Sequence, residues 1–227
     1  MSAPLRLVIF DVDGTLVDSQ GDIVAAMTAA FASVKVPLPP RETLLSIVGL
    51  SLNVAIPVLA PDAASDVHAK MVQAYKDAYI QLRADAGVAQ SSPLYPGALA
   101  ALKILGARPD TLLGVATGKS RRGLDKLIEG HALHDVFITQ QVADFHPSKP
   151  HPSMILQAMT DAGVTADNTV MIGDTSFDMD MAVAAGVRGI GVSWGYHGRE
   201  KLGNAHLVID GFADLLPTLQ SVWGEAR

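Results

Sequence analysis

Phe10-Asp11-Val12-Asp13-Gly14-Thr15-Leu16-Val17-Asp18-Ser19 closes the first apolar run of the chain. Leu7, Val8, Ile9 and Phe10 read as a short buried strand, and two carboxylates follow where that strand must end. On extended chain, residues two apart point to the same side, so Asp11 and Asp13 can converge on one point. Like charges held together raise one pKa or recruit a cation. Gly14 allows a sharp turn and a close backbone approach to an anion, with N–H donors beside it. The stretch therefore suits a nucleophile, an acid and a metal, although four residues such as Asp-Val-Asp-Gly also fit a simple turn. The remaining chain has to separate the two.

Composition narrows the chemistry. Of 227 residues, 49% are apolar and 18% charged, so the chain can form a packed core. The net charge of −6 and the lack of a dense Lys/Arg run argue against nucleic acid or an acidic membrane as partner. With 0 cysteines, disulfides, thiolate metal sites and a cysteine nucleophile are excluded. No apolar run approaches the roughly 18 residues that span a bilayer, and too few residues precede the first strand for a signal peptide. The expectation is a cytoplasmic protein whose chemistry uses Asp, Glu, Lys, His, Ser or Thr.

After Ser19 the texture becomes helical. Ile23, Met27, Ala30, Phe31 and Val34 recur at helical spacing until Pro37, Pro39 and Pro40 stop the helix. Residues 41–47 and 52–59 read as short helices separated around Gly49, and Val67, Met71, Ala74, Ala78 and Leu82 mark a longer one. Consecutive helices placed directly after a first strand are not an ordinary crossover, which needs one helix. They read as a helical cap over residues 19–91. Its connections are 18–20 and the polar, proline-marked 90–96, adjacent linkers that make a hinge.

From Pro96 onward helix and strand alternate. Helices are expected at 97–105, 124–128, 153–162 and 179–185, with strands at 112–116, 136–139, 169–172, 189–192 and 207–209. This pattern implies an α/β core, a doubly wound, Rossmann-like parallel sheet built from residues 1–18 and 92–227, carrying the inserted helical cap.

Ligands of such sheets bind at the carboxyl ends of the strands. After the second strand stand Thr117-Gly118-Lys119-Ser120, a hydroxyl, an open backbone and a cation, groups that hold phosphate oxygens. Thr117 also fits a helix N-cap. Further on, prolines stiffen Ser148-Lys149-Pro150-His151-Pro152 and fix where Lys149 points. After 169–172 come Gly173-Asp174-Thr175-Ser176-Phe177-Asp178, two more acids entering a helix. Asp178 and Asp180 also fit acids that stabilise a helix dipole. Carboxylates at two strand ends form an all-oxygen site of the hardness magnesium prefers, and lysine and hydroxyl at two others offset phosphate charge. Together they suit phosphoryl transfer.

On these residues the chain resembles the haloacid dehalogenase-like (HAD) hydrolase superfamily. The ordered signatures are Asp11-Val12-Asp13-Gly14-Thr15, Thr117-Gly118, Lys149-Pro150 and Gly173-Asp174-Thr175-Ser176-Phe177-Asp178. The resemblance implies Asp11 as a nucleophile forming an aspartyl-phosphate and Asp13 as general acid and base. It implies phosphate binding by Gly14, Thr117, Gly118 and Lys149. It also implies Mg²⁺ held by Asp11, the backbone carbonyl of Asp13 and Asp174, with Asp178 nearby. Asp13 argues against dehalogenation, because the dehalogenases of this superfamily lack an acid there. Trp194-Gly195-Tyr196-His197-Gly198 is similar to a loop of phosphoglycolate phosphatase-like enzymes, whereas Ser153 stands where some relatives carry Glu. The implied activity is Mg²⁺-dependent hydrolysis of a small phosphate monoester of phosphoglycolate type, with a small phosphorylated metabolite as partner. A β-phosphoglucomutase-type phosphomutase, a pyrophosphatase and a receiver-like signalling domain are the alternatives. Oligomeric state and the roles of Arg121 and Arg122 stay open at this level, and the seven histidines suggest no metal pairing.

Overall fold

The computed structural model describes residues 4–224. In chain order they form β1 (Arg6–Phe10), α1 (Gln20–Val34), α2 (Arg41–Leu45), α3 (Leu52–Leu59), α4 (Ser65–Ala86), α5 (Val88–Ser91), α6 (Ala98–Gly106), β2 (Thr111–Thr117) and α7 (Arg121–Gly130). There follow β3 (Thr139–Val142), α8 (Ser153–Ala162), β4 (Thr169–Gly173), α9 (Ser176–Ala184), β5 (Arg188–Val192), β6 (Leu207–Ile209) and α10 (Leu215–Val222).

The strands make one parallel sheet in the order β3-β2-β1-β4-β5-β6. β1 lies inside it, with Leu7 opposite both Leu112 and Thr169. The chain builds outward from β1 to β3, then returns to β4 on the other side. The order therefore reverses between β1 and β4, where open α/β sheets form a ligand crevice.

All five residues of β1 are buried because both faces are covered. Val8 and Phe10 pack with Leu102, Leu127 and Leu219 of α6, α7 and α10, while Leu7 and Ile9 pack with Met154 and Ile155 of α8 and Met181 of α9. The alternation follows the strand's two-residue period. A third core, made by Met27 and Phe31 with Leu44, Ile56 and Met71, lies entirely within α1–α4.

Two local expectations shift. The third strand runs over Thr139–Val142 rather than 136–139. Apolarity marked Val136–Ile138, but Ile138 is 57% exposed. The edge strand itself is polar because Thr139 and Gln141 bond Asp161 of α8. The connection at 90–96 is not open linker. α5 occupies its start, buried Ser92 receives Arg83 and its carbonyl binds His131, and Leu94 bridges antiparallel to Val17. The two connections to the helical insert therefore run side by side.

Candidate active site

Asp11 leaves the carboxyl end of β1 and Asp174 that of β4, on either side of the sheet's reversal, and both are buried. Lys149, fully buried, donates to Asp11 Oδ1 and to Asp178 Oδ1, each at 2.6 Å. Asp178 sits in the first turn of α9, where its Oδ2 accepts from the Thr175 N–H and Oγ1 in a capping box. The two uses expected of Asp178, helix capping and site support, coexist through its two oxygens. Asp174 accepts from Thr15 Oγ1 at 3.0 Å and the Tyr196 N–H at 2.8 Å. A Cβ at Gly14 or at Gly195 would overlap the Asp174 carboxylate. Gly14, at φ +88°, gives its own N–H to the Val17 carbonyl. It thus shapes the turn and makes room for Asp174.

Oxygens of Asp11, Asp174 and Asp178 lie within 4.8 Å of one another. Burial raises Asp11 to about 7, with Asp178 and Asp13 adding to the rise and Lys149 opposing it. Burial, then Asp11 and Asp178, push Asp174 well above the usual carboxylate range. Burial would lower Lys149, but Asp11 and Asp178 hold it above the ordinary lysine value. Three carboxylates thus crowd one ammonium, and among the described residues the buried Oδ2 of Asp11 has no hydrogen-bond partner. An orphaned carboxylate oxygen beside two further acids fits a hard divalent cation.

This crowding has a pH signature. The folded pKa of Asp11 exceeds its unfolded value near 3.8, so its contribution to stability is full below 3.8 and is lost by about pH 7. The slope is about 1.4 kcal/mol per pH unit per proton. The melting-temperature gain given by a divalent cation is therefore expected to grow from pH 5 to 7.5 and then level off. Comparing samples with Mg²⁺ and with EDTA cancels His146 and His197, whose burial lowers their values and tilts stability the other way. A gain independent of pH would show that no cation relieves Asp11.

Asp13 faces a different neighbourhood. Lys119 Nζ donates to its Oδ1 at 2.7 Å, and Ser19 Oγ makes a close hydrogen bond to the same oxygen. Burial works to raise Asp13, but Lys119, Ser19 and Arg83 bring it below the usual value. Lys119 also reaches Tyr79 Oη at 3.1 Å, and Tyr79 accepts from Arg83, which donates to the Gly123 carbonyl and Ser92 as well. Asp13 is thereby connected to α4 of the helical insert. Tyr196 Oη meets Ser19 Oγ at 3.1 Å.

Thr117 is buried at the end of β2, and Ser120, not Thr117, caps α7. The Thr117 hydroxyl oxygen accepts from the Lys119 N–H at 3.2 Å, leaving its hydrogen for another acceptor. A Cβ at Gly118 would stand 2.7 Å from the Gly49 carbonyl oxygen, so glycine lets the β2 loop meet the insert backbone to backbone. Ser148 Oγ accepts from the Ser51 N–H at 2.8 Å across the same junction. His197, which the sequence did not single out, accepts from Ser176 N–H through Nδ1 and donates through Nε2 to the Ser46 carbonyl. Its only sequence signal was its place in the Trp194–Gly198 loop.

A cavity of about 700 Å³ opens above Asp11, Asp13, Thr117 and Gly118, roofed by α1, α3, α4 and the connection at 47–51. Arg122 lines it, whereas Arg121 is engaged with Asp125 and Gln140. His146 joins Gln141 to Ser153, and Asp180 accepts from Asn204.

The chain is similar to known proteins over most of its length. Residues 8–192 match the family described as haloacid dehalogenase-like hydrolase. The "Probable phosphatase IndB" of Dickeya dadantii is 35% identical over 217 residues, covering 92% of this chain and 91% of that protein. "Phosphoglycolate phosphatase 1" of Pseudomonas aeruginosa is 33% identical over 217 residues, covering 93% and 79%. The haloacid dehalogenase-like family protein SP0104 of Streptococcus pneumoniae superposes with a TM-score of 0.81 at 25% identity, over 95% of this chain and 99% of that one. The chain belongs to the haloacid dehalogenase-like hydrolase family.

Proposed function

We propose that the protein is a Mg²⁺-dependent phosphatase that hydrolyses a small phosphate monoester through an aspartyl-phosphate on Asp11. The observation that carries this reading is the Asp11 carboxylate at the cavity floor, one oxygen held by Lys149 and the other without a partner among the described residues, with Asp13 two residues away. Similarity to proteins named phosphatase supports it.

In this reading a carboxylate oxygen of Asp11 attacks phosphorus as the ester P–O bond breaks, and Asp13 gives its proton to the departing alcohol oxygen. Asp13 then takes a proton from water, whose oxygen attacks the phosphorus and releases Asp11. The Thr117 hydroxyl and Gly118 N–H hold phosphate oxygens, and Lys149 offsets charge on Asp11 and the transferring group. Lys119 turns from Asp13 to the incoming phosphate. That removes the charge that keeps Asp13 low and lets it carry the proton it must donate. Asp11, Asp174 and the backbone carbonyl of Asp13 would hold Mg²⁺, with Asp178 keeping Lys149 in place. The bound ion supplies charge neutralisation between the carboxylate and the phosphate dianion. The cap, residues 19–91, supplies the roof and excludes water. Among the described residues no helix is long and apolar enough to cross a membrane, and the expected partner is a small phosphorylated metabolite.

The test is release of inorganic phosphate from a panel of esters with Mg²⁺, abolished by EDTA. Recovery of isomerised sugar phosphate without free phosphate would replace the hydrolase by a mutase. Within this scheme Asp13→Asn is expected to lower kcat for alkyl phosphates by about 10²–10⁴-fold. With p-nitrophenyl phosphate, whose leaving group needs no proton, phosphoenzyme should accumulate, because water is no longer activated. Rapid-quench measurement of the phosphoenzyme checks this, and an unchanged rate and pH profile would remove Asp13 from proton transfer.

A further inference from the structure

The inner wall of the roof is apolar and aromatic. Met27, Ile47, Val48, Leu50, Tyr75 and Tyr79 line it, the two tyrosines stacked with ring centroids 5.7 Å apart and planes 20° apart. The charged groups lining the cavity divide clearly. Lys76, Asp77, Arg122 and Asp144 are exposed, and Lys119, held here by Asp13 and Tyr79, is assigned above to the phosphate rather than to the leaving group. No buried cation of the insert faces the space above Asp11 among the described residues, since Arg83 is turned to Tyr79, Ser92 and Gly123. A leaving group bearing a carboxylate would meet only the exposed Lys76 and Arg122, whose pairing water screens, and would regain little of the hydration it loses. An uncharged body would gain from the apolar area it covers. A volume of about 700 Å³ is also that of a drug-sized pocket.

We propose that the cavity selects phosphate monoesters of bulky, uncharged, largely apolar alcohols with an aromatic or branched body, and that phosphoglycolate is a poor substrate. This rests on the phosphatase reading of the floor, but it concerns only the roof. The Tyr79 ring already carries Arg83 and Lys119 over it, 4.6 and 5.2 Å from its centroid, so Tyr75 is the ring that offers surface to an aromatic body. The polar tips of Asn53 and Gln73, also in the lining, stand exposed and accommodate a neutral hydroxyl or amide on its outer end.

Primary alkyl phosphates test this without changing leaving-group chemistry. With the full chain and Mg²⁺, kcat/KM is compared for ethyl phosphate, 2-phenylethyl phosphate, phosphoglycolate and glucose 6-phosphate. The phenylethyl ester is expected to exceed ethyl phosphate by roughly 30-fold, the return for burying one aromatic group. Phosphoglycolate and glucose 6-phosphate should not exceed ethyl phosphate. Tyr75→Ala should cut the phenylethyl-to-ethyl ratio by about tenfold, and Leu50→Arg, which brings a cation to the wall, should shift the ratio toward phosphoglycolate. Either variant suffices if the other does not fold. Equal values across the esters, or a wild-type preference for phosphoglycolate or glucose 6-phosphate, would overturn the proposal. Calorimetry with 2-phenylethylphosphonate and phosphonoacetate separates the two readings. Preferential binding of the aromatic phosphonate without turnover of any ester would sink the phosphatase reading and support the roof's selectivity. Turnover of all esters without preference would do the reverse.

Discussion

Asp11→Asn is expected to lower kcat for phosphate release by at least about 10⁴-fold at pH 7 while leaving the fold intact. The amide has nearly the carboxylate's shape but is a far weaker nucleophile, and loss of a covalent nucleophile removes the step on which the others depend. The backbone at this position should hold, because the Asp11 N–H is bonded to the Ile172 carbonyl at 2.9 Å in register with β4. The variant also removes a charge that burial opposes. Its metal-free melting temperature should therefore vary less between pH 5 and 7.5 than that of the native chain. Phosphate release and circular dichroism check both parts, and substantial residual activity would remove Asp11 as nucleophile.

Lys149→Met should give the largest loss of stability, about 3–5 kcal/mol. Lys149 is a buried cation between two buried carboxylates, and removing one partner of such a cluster leaves uncompensated charge. For a chain of this size that corresponds to a fall in melting temperature of roughly 6–20 °C. The deficit should narrow as pH falls from 7.5 to 5, because Asp11 then takes up a proton and no longer needs the ammonium. Turnover should fall by at least about 10³-fold, since the same ammonium faces the reacting carboxylate. Thermal unfolding at two pH values measures the first effect. A loss within about 1 kcal/mol would show that Lys149 does not offset these acids.

Both predictions concern residues that could be found in the sequence, and the reason is local. Asp11, Thr117 and Asp174 each follow an apolar strand directly, and Lys149 lies between rigid prolines. Strand ends in a parallel sheet converge by topology, so listing the polar residues after each strand is nearly enough to locate the floor of the site. The third strand escaped that logic. An edge strand satisfied by side-chain bonds to Asp161 needs no apolar run, so Thr139–Val142 carried no hydrophobic signal. The Asp13–Lys119–Tyr79–Arg83 connection escaped too, because α4 and the β2 loop meet only after the helical insert folds back over the sheet.

The sequence by itself determined the class of fold, and it pointed to a helical insert and to the acids, hydroxyl and lysine that the structure brings together. These follow from hydrophobic period, strand ends and spacing, which are properties of short stretches. Only the tertiary structure decided how those groups are used. It committed the Gly14 N–H to Val17, divided the two oxygens of Asp178 between a helix cap and Lys149, and left one oxygen of Asp11 without a partner among the described residues. It also placed Tyr75, Tyr79 and an apolar wall above the floor, with Lys76, Asp77, Arg122 and Asp144 at exposed positions. Pairing and desolvation depend on which distant segments pack together, and no stretch of sequence contains that information alone.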